Sequence, residues 1–138
     1  ALAHAGRVKT LKKSKNMLIV TLNDIKVDFV NYTYPLIYPI VSVGNIRLAS
    51  IQDIAAMKLN AIAGRGVKKD FIDVYYLLKQ YTFKELIDFY LNKYPDGSEF
   101  IVRKSMVYFD DADSESTPII FDGTGWEQVK EEIIKHVM

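Results

Sequence analysis

The chain has 138 residues, 49% hydrophobic and 12% aromatic, which argues against an intrinsically disordered chain and predicts one globular domain, residues 1–138, around a sizeable core. A formal net charge of +1 excludes a bulk preference for nucleic acid or membrane, and no apolar run approaches the roughly 18 residues that a membrane span needs. The absence of cysteine excludes disulfides and thiolate metal centres and fits a reducing, cytoplasmic setting, while His4 and His136 are too far apart in sequence to suggest a ligand pair.

The opening "ALAHAGRVKT" lacks an initiator methionine and reads as the start of a piece of something longer. Arg7, Lys9, Lys12, Lys13 and Lys15 follow without an acid among them. This basic stretch is expected to be a solvated segment or, alternatively, a contact for RNA. "NMLIVTLNDIKVDFVN", residues 16–31, predicts a β-hairpin, because β-branched runs flank an Asn23-Asp24 pair that tolerates positive φ. In its second strand a period of two puts Ile25, Val27 and Phe29 on one face and Lys26, Asp28 and Val30 on the other. Pro35 and Pro39 then forbid a continuous helix, so the following residues read as an extended connector with a short strand near Ile46 to Ala49.

Helices follow. Ser50 and Asp53 suggest a capping box, opening a helix to about Ala63 that Gly64 and Gly66 terminate around Arg65. A second helix is expected from Lys68 to about Gln80, and a third begins at the Thr82–Glu85 capping box and ends before "YPDG". Ser98 to Phe109 has the spacing of a fourth, and Trp126, Val129, Ile133, Ile134 and Val137 trace the stripe of a fifth. The acidic stretch between them, "DDADSESTPIIFDGTG", reads as a loop. The predicted class is α+β: a β-rich part, residues 1–49, with an N-terminal hairpin, followed by a bundle of about five helices in residues 50–138.

Two charges interrupt the apolar faces. Winding the first helix at about 100° per residue puts Met57, Ala61, Ile54, Ile51, Ile62 and Ala55 on one arc, with Lys58 inside it and Gln52, Asp53 and Asn60 opposite. In the second, Leu77, Val74, Leu78, Phe71 and Tyr75 share a side on which Asp70 lies, with Asp73 at its edge. An ionisable group in such a position must find an opposite charge, reach water or face a charged ligand. Lys58 can snorkel outward, Asp70 can complement the dipole of its own helix, or the two can form a structural ion pair. Arg65, Lys68 and Lys69 add cations beside the glycines, either as an anion-binding corner at a helix N-terminus or as a solvated basic loop; Lys69 can also pair with Asp73.

"KLNAIAGRGVKKDFIDVYYLL" resembles the helical signature of the AbiEii/AbiGii family of nucleotidyltransferase-like toxins, with Lys58, Leu59, Ala61, Arg65, Lys69, Asp70 and Asp73 in the motif positions in order. "IKVDFVNY" is similar to the strand on which that superfamily presents its third active-site carboxylate, here Asp28. The resemblance implies a partial nucleotidyltransferase-like fold and the transfer of a nucleotide from a nucleoside triphosphate to an acceptor, RNA in several relatives. It implies that Asp28 ligates Mg2+ or orients the attacking hydroxyl, and that Lys58 contacts the phosphates. Asp70 and Asp73 would orient the basic groups or assist at the site, and Arg65 and Lys69 would line the nucleotide entrance. The family's Gly-Ser turn and Asp-x-Asp pair do not occur in the 27 residues ahead of Asp28, so the isolated chain is expected to be inactive and to represent the C-terminal part of a longer enzyme. A different reading is a non-catalytic helical module that docks a partner protein such as an antitoxin, with Lys58 and Asp70 as a structural pair.

Overall fold

The computed structural model describes residues 6–138, so His4 lies outside the described residues. The chain divides into two compact units, Ala1–Tyr34 and Pro35–Met138.

In the first unit three antiparallel strands, β1 (Val8–Ser14), β2 (Met17–Leu22) and β3 (Ile25–Val30), pair in the order β1-β2-β3. The predicted hairpin is β2–β3, turned by Asn23 (φ 49°) and Asp24 (φ 67°), the two positive φ angles that suit a tight hairpin turn to the twist of its strands. The Asn23 side chain accepts from the Arg7 amide at 3.0 Å, which ties the turn to the start of β1. β1 itself was not anticipated, because "VKTLKKS" lacks apolar alternation and is held by backbone pairing. Its register slips between Thr10 and Lys12, leaving Leu11 as a bulge. As a result Lys9 stands across from Thr21 and Lys26, and Lys12 across from Ile19 and Asp28, so these lysines share one face with Asp28.

The second unit begins with an extended segment and a small hairpin, β4 (Val41–Val43) and β5 (Ile46–Leu48), reversed at Gly44 with φ 58°. Only one short strand was expected in this connector. Six helices follow: α1 (Ile51–Arg65), α2 (Lys68–Leu78), α3 (Phe83–Lys93), α4 (Glu99–Met106), the single turn α5 (Asp110–Asp113) and α6 (Trp126–Val137). α1 packs on α2, α3 and α4, and α6 packs on α2 and α4. Leu59, Phe71, Val74, Leu86, Val102, Met106, Val129 and Ile133 are fully enclosed in this core. Among the described residues no helix is long and apolar enough to cross a membrane.

Three expectations need correction. Gly64 does not stop α1; the helix runs through it to Arg65, and Gly66 ends it in the left-handed conformation that glycine adopts without strain. α4 ends at Met106 rather than Phe109, and Asp110–Asp113 of the presumed loop form one helical turn.

The buried face of α1 is also rotated from the predicted arc. Ala55, Ala56, Leu59 and Ile62 are buried, Ile51 and Ile54 are exposed, and Asp53, placed on the polar side, is fully buried. Small side chains let α1 approach its neighbours closely, which outweighs the larger apolar residues in setting the inward face. Asp53 is satisfied there by Lys93 Nζ at 2.6 Å, Ser50 Oγ at 2.6 Å, and the Ile37 and Tyr38 amides at 3.0 and 3.1 Å. Burial would raise its pKa, but these donors, Lys93 foremost, outweigh the desolvation and hold it to about 2. Lys93 also donates to the Pro35 carbonyl at 2.8 Å, so one buried ion pair joins α1, α3 and the segment ahead of β4.

Candidate functional site

Lys58 and Arg65 are seven residues apart on α1, two turns along the same stripe, and Asp70 and Asp73 are one turn apart on α2. The left-handed Gly66 between the helices brings the two stripes together. Lys58 Nζ donates to Asp70 Oδ1 at 2.9 Å and lies 2.5 Å from Asp73 Oδ2. Arg65 Nε and Nη2 reach the other Asp70 oxygen at 3.3 and 3.2 Å. The Asp70 side chain is 1% exposed, Lys58 26%, Asp73 48% and Arg65 60%, so the cluster grades from core to solvent. Burial lowers the Lys58 pKa, but hydrogen bonds and charge from Asp73 and Asp70 more than reverse this and raise it above its ordinary value. The four groups balance as two cations and two carboxylates.

Lys69 lies one turn before Asp73 on α2. It lines a groove of about 580 Å³ with Ile72, Asp73 and Tyr76, closed on its far side by the segment 118–122. It also borders a smaller hollow of about 360 Å³ with Arg65, Glu115 and Pro118. Val67 at the N-cap of α2 has no capping side chain, and the Lys68 amide instead donates to Glu115 Oε2 at 2.8 Å. The anion at this helix N-terminus is therefore a carboxylate of the chain itself. Lys68 Nζ also binds the Glu115 carbonyl and approaches Thr117 Oγ1 at 3.4 Å, and it stands 5.1 Å from the Trp126 ring centre.

The structure thus brings together Lys58, Arg65, Asp70 and Asp73, with Lys69 on the adjoining groove. Asp28 belongs to the other unit, on β3, with Lys26 at 3.4 Å and its side chain 45% exposed. Among the described residues no group of three or more histidine, aspartate or glutamate side chains could hold a metal ion, and Asp70 and Asp73 are taken by Lys58 and Arg65. These residues do not by themselves fit a Mg2+ site. The sequence reading placed Lys68 at the basic corner but missed its partner Glu115 and the groove wall; the available signal was the apolar run "PIIF", residues 118–121, inside a stretch otherwise made of turn formers.

The family model described as nucleotidyl transferase AbiEii toxin, type IV TA system, matches residues 19–133. The chain belongs to this family. The AbiEii match takes in most of β2, all of β3, the charged α1–α2 cluster and the groove wall. An uncharacterized protein of Aquifex aeolicus (strain VF5) is 40% identical over 130 residues, 91% of this chain and 62% of the relative. The chain therefore spans less than two thirds of that relative's length. No solved structure matches it.

Proposed function

We propose that this AbiEii-family chain supplies the phosphate-handling part of a nucleotidyltransferase-like toxin, which moves a nucleotide from a nucleoside triphosphate to an acceptor, RNA being the favoured class. The reading is supported chiefly by the convergence of Lys58 and Arg65 on the buried Asp70 carboxylate, in a cluster whose Asp73 lines a groove. An ammonium whose pKa is raised stays charged throughout the physiological range, as neutralising a polyphosphate requires. In this account Lys58 contacts the phosphates, Asp70 and Asp73 hold it in place, and Arg65 and Lys69 line the approach. Asp28 would orient the acceptor hydroxyl or join a Mg2+ site that needs carboxylates beyond those of these residues. The whole protein would act in the cytoplasm and be restrained by an antitoxin.

The test is transfer of labelled nucleotide to RNA by the whole protein with Lys58→Ala. Loss of at least about a hundredfold is expected, in line with removing one preorganised charge from a transition state, with the variant still folded by circular dichroism. Normal transfer by Lys58→Ala would remove the phosphate role.

One observation favours a second reading, in which the helices dock a partner and the cluster is structural: Lys58, Arg65, Asp70 and Asp73 are already paired with one another. That version requires Lys58→Ala to lower the melting temperature substantially and nucleoside triphosphate to leave the melting curve of the parent chain unmoved.

A further inference from the structure

The groove beside the charged cluster is a built feature. Its outer wall, residues 115–122, runs along α2 and is fastened at both ends. At one end Lys68 holds Glu115 and Thr117 through its amide and ammonium. At the other, hydrogen bonds from Thr124 and the Tyr76 side chain hold the Asp122 carboxyl down to about 2, and Lys79 Nζ lies 3.9 Å from it. Between these ties the wall turns apolar side chains to solvent: Ile119 is 86% exposed and Phe121 fully exposed. Leaving two large apolar groups in water next to an aromatic side chain is the mark of a surface that something covers.

Charge and size narrow the occupant. Lys69 and Asp73 line the groove, while Asp73 also belongs to the ion cluster and Lys69 also borders the Arg65 hollow. One end of the groove therefore adjoins cations and the rest is apolar and aromatic. Lys69 to Tyr76 spans about 10 Å of helix, the reach of one nucleoside and too short for the successive anchors of a docked helix. A volume of about 580 Å³ falls within the range of small-molecule sites.

We propose that this groove receives the base and ribose of a nucleotide whose phosphates lie at the Lys58–Arg65–Lys69 end. The base packs against Tyr76 and Phe121, and the Asp73 carboxylate accepts from a ribose hydroxyl. The proposal rests on the phosphate-handling reading above and adds to it the position of the organic half of the ligand.

Calorimetric titration of the chain with each of the four ribonucleoside triphosphates and with inorganic tripolyphosphate separates the two ideas. At least one nucleotide is expected to bind at least about fivefold tighter than tripolyphosphate, the scale of a single base stacked on an aromatic side chain. The double variant Ile119→Ser, Phe121→Ser, both at exposed positions, is expected to erase that preference and leave tripolyphosphate binding unchanged. Equal affinity for nucleotide and tripolyphosphate, or a preference the double variant retains, would overturn the groove assignment while the phosphate reading stands. Binding of neither ligand would overturn both. A dimer seen by sedimentation that the double variant dissolves, with no base preference, would give the groove to a second copy and overturn the proposal.

Discussion

Asp53 and Asp70 face the same physical problem, a carboxylate taken out of water, and meet it with different donors. Asp53 uses a buried ammonium, a buried hydroxyl and two partly buried amides; Asp70 uses an ammonium and a guanidinium whose outer parts reach solvent. The first arrangement is closed and structural, whereas the second leaves its cations able to exchange partners. The Asp53 pKa of about 2 lies below its ordinary 3.8, so its pairing adds stability that is complete above about pH 4 and is lost as pH falls through 2. The contribution is about 2 kcal/mol. Urea unfolding across pH 2–5 should show this decline in the parent chain, and Asp53→Asn, already destabilised by its uncompensated Lys93, should show a flatter pH profile.

At the scale of elements, α2 is a helix whose N-terminus is completed from elsewhere. Val67 offers no cap, and Glu115, 47 residues beyond Lys68, supplies the acceptor for the Lys68 amide. Glu115→Ala should lower stability by about 1 kcal/mol, as loss of an ordinary N-cap does, read as a drop in the urea midpoint without change of slope. No spacing rule connects positions 67 and 115, so this cap could not be read from the chain. Local caps could: Thr82 and Glu85 form the anticipated capping box, and Ser50 accepts from the Asp53 amide. The inward side of α2 was equally legible, since Phe71, Val74, Tyr75, Leu77 and Leu78 are large, apolar and correctly phased. That of α1 was not, because alanines carry little pattern weight and yet decide how closely helices approach. The pairing of Lys58 with Asp70 was one of several alternatives left open by the helical wheels, and its three-dimensional form needed the Gly66 turn.

On the scale of the whole molecule, the order of a β-rich beginning and a helical remainder followed from β-branched runs, prolines and capping signals. β1 escaped because backbone pairing leaves no trace in side-chain periodicity when the strand is mostly lysine and threonine. Its irregularity at Leu11 reaches beyond local geometry. β1 lies at an edge of the described sheet, where a flat, regular ribbon would offer open amides and carbonyls to another molecule. Removing Leu11 would keep Thr10 opposite Val20 and Lys12 opposite Ile19, so every lysine would stay on its present side while the ribbon straightened. Such a one-residue deletion should fold as before but assemble into thioflavin-positive fibres sooner than the parent on agitation. A single surplus leucine would then be what keeps neighbouring copies of this protein from zipping together.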